Sequence, residues 1–358
     1  MQKVYEVMDF ADCAYILRSG KLVFEITPQD KYTLEGREII FGAEEPIIRY
    51  KTGREDYLRF QTVWAEEGSR IDKIPANNLY KVLSLYNIGY NLTKNIARFV
   101  QITNRMYISK EKKLSGVEMA SKEYASIYVD VIERLKSIYQ KLKIRWLAEL
   151  IEKYINSLVY TKGLAFKGTT SRSELKLDTN KLSEYTFNVR AGSILCEEGD
   201  KTNEMFILNR GNLAVFIGGK KVADINEPGT VIGEMALLLG ETRSATIKAI
   251  TESNLTIVKP ENLKSVAEAN KEFFLNIAFN LSRNLEHNCT LIRETNELLQ
   301  SRSSEVGVTP PSEKTNYKQL LSMMRELERF ELKYKNEWMS EILKFARDEI
   351  SKVRKMYS

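Results

Sequence analysis

Apolar positions along the 358-residue chain change period several times. From Tyr185 to Val258, short β-branched and aromatic runs are separated by glycine turns at Gly192, Gly199, Gly211, Gly218-Gly219 and Gly229. That pattern predicts short antiparallel strands closing into a small roll or barrel. Lys259-Pro-Glu-Asn-Leu then opens a helix, Pro260 being tolerated in a first turn. Beyond it Phe274, Ala278, Leu281, Leu285, Asn288, Ile292, Thr295 and Leu299 keep a four-three spacing. This is the packing seam of a long helix with two polar positions, and a polar seam residue fixes register or meets something other than a leucine. Between Ser121 and Tyr160, Tyr124, Tyr128, Val131, Leu135, Ile138, Leu142 and Trp146 alternate by four and three, which predicts an amphipathic helix. A comparable stripe runs through Leu320, Met324, Leu327, Tyr334 and Trp338. The stripes are expected to bury against their own domains or each other; the alternative is a coiled-coil platform for a protein partner. Gly163 to Asp178 reads as the loop leading into the strand-rich region, and Ser301 to Ser312 as a flexible Ser/Gly/Pro linker.

The same patterns occur twice. Tyr15-Ile-Leu-Arg-Ser-Gly20-Lys-Leu22 aligns with Phe206-Ile-Leu-Asn-Arg-Gly211-Asn-Leu213 at an offset of 191, which holds from Asp9 against Asp200 to Gly42 against Gly233. Asn87-Ile-Gly-Tyr-Asn-Leu-Thr-Lys-Asn95-Ile96 matches Asn276-Ile-Ala-Phe-Asn-Leu-Ser-Arg-Asn284-Leu285 at 189, and Trp146-Leu-Ala-Glu-Leu-Ile matches Trp338-Met-Ser-Glu-Ile-Leu at 192. Near-constant offsets over this length predict one unit used twice: a β-roll, a helix, then a long helical tail.

The candidate chemistry lies in Val231-Ile-Gly-Glu-Met-Ala-Leu-Leu-Leu-Gly-Glu-Thr-Arg-Ser-Ala-Thr-Ile247. Gly233 opens a turn where backbone can approach a ligand. Glu234 offers an acceptor-only carboxylate suited to a sugar hydroxyl. Met235 to Leu239 reads as a turn of helix whose first N–H groups lack intrahelical partners. Arg243 brings a forked cation fitted to phosphate oxygens, and Ser244-Ala245-Thr246 starts a strand. Together they describe a pocket for a nucleotide with one compact charge.

Gly-Glu-Met-Ala-Leu-x5-Arg-Ser-Ala-Thr resembles the phosphate-binding cassette of cyclic-nucleotide-binding domains, as in catabolite activator protein and protein kinase A regulatory subunits. Gly192 to Asp200 and Met205 to Leu213 resemble the family's first strands and Gly-turn hairpin. Thr242 stands where many members carry Pro. The resemblance implies Glu234 on the ribose 2′-hydroxyl and Arg243 on the cyclic phosphate. It implies backbone N–H groups near Ala236 and Ala245 completing the cradle, with Val231, Ile232, Gly233, Met235 and Ser244 around the ligand. It also places Leu285, Asn288 and Cys289 where the family's helix meets the purine, though Asn288 has an equally good reading as a register residue. In the first copy, at the 191 offset, Ala43 stands for Glu234 and Thr52 for Arg243, so both ligand groups are expected to be lost. Arg49 and Arg54 are the nearby candidates to substitute. The first copy also begins at Met1 without the strands equivalent to Tyr185–Cys196, and is expected to be a degenerate packing partner of the second.

Composition narrows the class. The chain is 43% hydrophobic and 28% charged with a formal net charge of +6, ordinary for a globular protein, and its charges interleave without a basic block. Cys13, Cys196 and Cys289 are scattered without metal spacing, as in reduced cytosolic thiols. The N-terminus has no signal core and no stretch approaches a membrane span, so a cytoplasmic protein is expected. The single histidine, His287, leaves no second imidazole for a metal and no convincing catalytic triad; it reads as a helix-surface or interface residue.

The expected fold is α+β: two small antiparallel β-roll, jelly-roll-like cyclic-nucleotide-binding domains, each followed by long α-helices. Boundaries are expected at 1–108 (degenerate domain), 109–162 (helical tail), 163–300 (binding domain with its C-terminal helix), 301–313 (linker) and 314–358 (C-terminal helical tail). The expected function is a non-enzymatic sensor that binds a cyclic purine nucleotide, cAMP ahead of cGMP, with no cofactor or metal. It would re-order its helices toward an unidentified protein partner, either as an intramolecular pseudo-dimer or as a homodimer through the C-terminal helices. A ligand-free scaffold and a cyclic-dinucleotide receptor are the alternatives. A transcription factor is disfavoured, since nothing after Leu299 resembles a helix-turn-helix and no basic face marks nucleic-acid binding.

Overall fold

The computed structural model describes residues 1–167, 183–303 and 311–357. They fall into two compact units, one of Met1–Thr103 with Ser171–Glu286 and one of Asn104–Thr170 with His287–Ser358. In chain order, the first unit opens with β1 (Gln2–Tyr5), β2 (Cys13–Thr27), β3 (Asp30–Gly36), β4 (Ile39–Phe41), α1 (Glu44–Thr52), β5 (Thr62–Ala65), β6 (Arg70–Pro75), α2 (Ala76–Leu83) and α3 (Tyr86–Glu111), which runs on into the second unit. There follow α4 (Gly116–Leu142), α5 (Arg145–Ile155) and α6 (Leu158–Lys167). The chain returns to the first unit with β7 (Thr186–Val189), β8 (Ile194–Cys196), β9 (Met205–Arg210), β10 (Leu213–Ile217), β11 (Lys220–Ile225), β12 (Val231–Ile232), α7 (Glu234–Leu239), β13 (Thr246–Ala249), β14 (Ser253–Val258), α8 (Leu263–Ala269) and α9 (Phe273–Ser303), the last again shared. It ends with α10 (Pro311–Tyr334) and α11 (Glu337–Tyr357). Antiparallel sheets and many helices make this an α+β protein.

Strand pairing follows one scheme in both parts of the first unit. The early residues of the 15-residue β2 pair with β4 and β6, and its later residues with β3 and β5. Likewise β9 pairs with β12 and β14, while β10 pairs with β11 and β13. The crossing from one pairing set to the other is made at Gly20 (φ 123°) and Gly211 (φ 119°), a backbone region open to glycine. A Cβ at Gly20 would lie 2.7 Å from the Ser69 Cα, and one at Gly211 2.6 Å from the Ser253 Cα. Each serine hydroxyl then accepts the N–H after the glycine, Lys21 at 3.1 Å and Asn212 at 3.2 Å. β1 pairs with β5 as β8 pairs with β13, so β1 occupies the place of a strand expected to be missing; among the described residues only β7 has no N-terminal counterpart. Within this unit Phe274 packs on Gly89, where a Cβ would come 2.6 Å from its ring, with Tyr86 and Tyr90 edge-on to it. The Tyr57 hydroxyl donates to Glu286 and the Gln101 amide to Glu241.

The second unit gathers the helical segments of both halves. Tyr128, Val131 and Leu135 of α4 bury against Leu320, Met324 and Leu327 of α10 and Met339 and Leu343 of α11, so the amphipathic stripes meet each other in one core. The stripe from Tyr124 to Trp146 is not one helix: Lys143 turns left-handed (φ 53°) and Trp146 lies on α5. Lys335 (φ 50°) breaks the second stripe in the same way, 192 positions later. In each case the N–H closes back on the helix, Lys143 to the Tyr139 carbonyl at 2.8 Å and Lys335 to the Glu331 carbonyl at 2.7 Å. The breaks let Trp146 stack face to face with Phe330 and Tyr334, at 4.9 and 5.0 Å.

The segment expected as a loop from Gly163 is helical to Lys167; its remainder, 168–178, lies outside the described residues. Of the expected linker, Ser301–Ser303 continue α9 and α10 begins at Pro311, and 304–310 lie outside the described residues. Gly163 is where α6 meets α4: a Cβ there would overlap the Ala125 carbonyl and lie 2.6 Å from the Val129 side chain. Gly163→Ala is therefore expected to cost about 1–3 kcal/mol by overpacking, despite alanine's better helix propensity. Urea denaturation checks this, and an alanine variant as stable as wild type would contradict the close approach. Among the described residues no helix is long and apolar enough to cross a membrane.

Candidate nucleotide site

The cassette turns on local backbone geometry. β12 ends at Ile232, Gly233 takes a left-handed conformation (φ 84°), and α7 starts at Glu234 and stops at left-handed Gly240 (φ 67°). A Cβ on Gly233 would collide with Nη1 of Arg243, so this glycine leaves room for the guanidinium. Arg243 is only 5% exposed. Its main-chain N–H donates to the Asp200 carbonyl (2.9 Å) and its carbonyl accepts from Gly199 (2.8 Å). In its side chain, Nε donates to the Thr202 hydroxyl (2.7 Å) and Nη2 to the Glu204 carbonyl (2.6 Å), with the Glu204 carboxylate at 3.5 Å. Nη1 is buried and has no acceptor among the described residues. Leaving such a donor unpaired costs roughly 1–3 kcal/mol, more for a charged group, and an anion in reach of Nη1 would remove that cost.

A cavity of about 190 Å³ opens beside it. Val231, Ile232, Gly233, Glu234, Met235 and Ala236 line one side, and Arg243, Ser244 and Ala245 another, so nine of the expected site residues share one space. Leu285 is not among its walls; it is wholly buried, because the apolar seam of α9 faces the core. Asn288 belongs to the second unit and is 5% exposed. The cavity also has walls that motif reading did not supply, chiefly Cys196, Val215 and Ile247. Ile247 pairs across the sheet with both Val215 and Cys196, so the three form an apolar row over β10, β13 and β8. Period-two alternation around Ile247 carries that signal once the cassette is placed on a sheet.

A buried, half-satisfied arginine, a carboxylate and an apolar row in one cavity match what the family comparison finds: residues 186–270 fit the family described as "Cyclic nucleotide-binding domain". Residues 186–270 form a cyclic nucleotide-binding domain. Similar curated proteins include a cGMP-dependent protein kinase of Plasmodium berghei, 30% identical over 113 residues, and human cGMP-dependent protein kinase 2, 32% identical over 102. These matches cover 31% and 27% of this chain and 13% of each kinase. Among solved structures, the regulatory domain of Toxoplasma gondii PKA with cAMP aligns over 76% of this chain and 79% of that one, at 13% identity and a TM-score of 0.22.

The cyclic nucleotide-binding domain also locates a residue that the fixed 191 offset misplaced. Thr52, expected opposite Arg243, ends α1 and bonds to its own helix. The counterpart is Arg59: its N–H donates to the Asp9 carbonyl (2.8 Å) and its carbonyl accepts from Met8 (3.0 Å), each 191 positions before the partners of Arg243. Thr62 and Thr246, three residues further on, accept the N–H groups of Val7 (3.1 Å) and Glu198 (2.9 Å). Helix α1 and the loop after it are together longer than α7 and its loop, which shifts the offset to 184. Arg49 and Arg54 do not take this role; Arg49 lies over the Phe10 ring and Arg54 pairs with Asp56.

Beside Arg59, both Glu44 and Glu45 are fully buried, and among the described residues no side chain hydrogen-bonds the Glu44 carboxyl oxygens. Burial first, and the Glu45 charge second, push the Glu44 pKa from 4.5 up to about 8; Arg59 opposes the shift and the Tyr5 phenol also faces the pair. The folded protein thus keeps a proton that the unfolded chain releases, so stability falls as pH rises from about 4.5 to 8 and levels off above. The slope is expected to approach about 1.4 kcal/mol per pH unit. Glu44→Gln, which carries no titrating proton, is expected to flatten it and to exceed wild type in stability at pH 8. Denaturation at pH 5, 6.5 and 8 measures this, and identical slopes in both chains would exclude Glu44 as the source.

Proposed function

We propose that this chain is a non-catalytic cytoplasmic sensor that takes one cyclic purine nucleotide in the Gly233–Ile247 cavity, cAMP ahead of cGMP, and relays occupancy through its helices to a protein partner. The observation that carries this reading is the buried Nη1 of Arg243, without an acceptor among the described residues, in a cavity that Glu234 also lines. Arg243 would grip the cyclic phosphate, Glu234 the ribose 2′-hydroxyl, and the Val215–Ile247–Cys196 row the nucleoside. cGMP stays beside cAMP because the curated relatives are named for it and because Ser244, exposed at the mouth, has a hydroxyl to offer a guanine.

The N-terminal β-segment is read as a degenerate copy of the same domain, supported by the matched glycine–serine crossings and the matched arginines. Its packing on the second copy through Gly89, Phe274 and the Tyr57–Glu286 bond supports a pseudo-dimer within one chain. Nucleotide would act by favouring one arrangement of α9 over another, since a ligand shifts an equilibrium only by its difference in affinity for the two states. Isothermal titration of the full chain with cAMP and with cGMP tests the reading. One site per chain is expected, and no binding of either nucleotide at millimolar concentration would overturn it.

A further inference from the structure

Arg59 and Arg243 sit in matching frames, yet among the described residues Nη1 has partners in Arg59 and none in Arg243. Nη2 of Arg59 donates to the Cys13 carbonyl, as Nη2 of Arg243 donates to the Glu204 carbonyl, and Cys13 precedes Glu204 by 191. Ala11 stands where Thr202 does, so Nε of Arg59 has no acceptor among the described residues. Nη1 of Arg59, by contrast, donates to the Gly42 carbonyl (2.7 Å) and to Oε2 of Glu45 (3.0 Å). The second oxygen of Glu45 accepts the N–H of Phe60 (3.3 Å), the residue that follows Arg59 as Ser244 follows Arg243. At the 191 offset Glu45 aligns with Ala236 of the cyclic nucleotide-binding domain, and both partners of this ion pair are at most 1% exposed.

The apolar side of the pocket is changed in the same sense. At the 191 offset Tyr5 stands for Cys196, Phe24 for Val215 and Phe41 for Ile232. Three cavity-lining aliphatic or thiol side chains are thus replaced by rings, and all three rings are buried, at 4%, 0% and 0% exposure. Tyr5 covers the Arg59 guanidinium at 4.3 Å, Tyr15 stacks between Tyr5 and Phe41, and Phe24 packs edge-on against Phe41.

We infer that the N-terminal β-segment carries its own ligand: the Glu45 carboxylate fills the anion seat and Tyr5, Phe24 and Phe41 fill the nucleoside space. This segment is then held permanently in the occupied arrangement, gives the nucleotide-binding half a partner that does not respond to nucleotide, and becomes an anion-binding site only when Glu45 is removed. The inference rests on the reading of Arg243 as the anion-gripping group, but its test is made with Arg243 already replaced, so the two can fail separately.

In the full-length Arg243→Ala chain, Glu45→Ala is expected to lower the melting temperature by about 5 °C or more. Sodium acetate, which restores the deleted carboxylate, and inorganic phosphate are each expected to recover at least half of that loss relative to chloride at equal ionic strength. The Arg243→Ala parent is expected to respond to neither beyond chloride. Glu45→Ser gives the same comparison if the alanine variant does not fold. A loss that no anion restores, or a parent that gains as much as the variant, would overturn the self-liganded seat. Hydrogen exchange supplies a second reading: the Phe60 amide is expected to be protected without nucleotide and unchanged by cAMP, and protection appearing only with cAMP would overturn it equally.

Discussion

Arg243→Ala is expected to weaken cyclic-nucleotide binding by about 100-fold or more, roughly 3 kcal/mol, with the stoichiometry unchanged where binding is still measurable. The size follows from burial. At 5% exposure the guanidinium would meet an anion with little water to screen the charge, and among the described residues its Nη1 has no acceptor. The Glu204 carboxylate, 3.5 Å from Nη2, offsets part of the positive charge, which sets the effect below that of a wholly isolated cation. Truncation also removes donors from the Thr202 hydroxyl and the Glu204 carbonyl, so a fold control is needed, and the melting temperature without nucleotide supplies it. Arg243→Lys sharpens the interpretation. A point charge on a flexible stem keeps attraction but cannot hold Thr202, Glu204 and an anion at once, so its affinity is expected between the other two chains. Calorimetry on the three chains decides the matter, and equal affinities would remove Arg243 from the site.

Arg59→Met is expected to destabilise the first unit by about 3–5 kcal/mol, the range for stranding one member of a buried ion pair. Glu45 would be left in the core with the Phe60 N–H as its remaining donor among the described residues, and the Cys13 and Gly42 carbonyls would lose the Arg59 donor. The guanidinium is held charged there: burial opposes its ionisation, but Glu45 more than compensates and raises the pKa above that of free arginine. Replacing both partners tells a different story, because an apolar pair of similar volume carries no stranded charge. The Arg59→Met/Glu45→Leu chain is therefore expected to recover most of the loss, giving a coupling of about 2 kcal/mol or more in a double-mutant cycle. Urea denaturation of the four chains measures it, and additive losses would show that the pair does not act as a unit.

What could be read without coordinates was local. Gly233, Glu234 and Arg243 lie within eleven consecutive residues, and nine cavity residues were recovered from that one stretch because its turn, short helix and strand are fixed by neighbours in sequence. The glycines at the strand crossings were equally visible. Arg59 was legible in part: Arg59-Phe-Gln-Thr62-Val-Trp-Ala65 repeats Arg243-Ser-Ala-Thr246-Ile-Lys-Ala249, but a longer α1 and a longer loop after it displace the match from the constant offset. The helix breaks at Lys143 and Lys335 carried no such mark, since neither uses glycine or proline and the apolar stripe runs straight through them.

The stretch from Gly233 to Ile247 was enough to reveal the likeness to the cyclic nucleotide-binding family and to group Glu234 with Arg243 in one cavity, because both depend on short-range backbone geometry and side-chain chemistry. Tertiary structure alone decided that the helical tails of both halves share one core, that Lys143 and Lys335 bend so that Trp146 stacks on Phe330 and Tyr334, and that Glu45 rather than solvent faces Arg59. Those outcomes depend on which distant surfaces exclude water together and which buried charge finds a partner, and neither is specified by any stretch of chain taken alone.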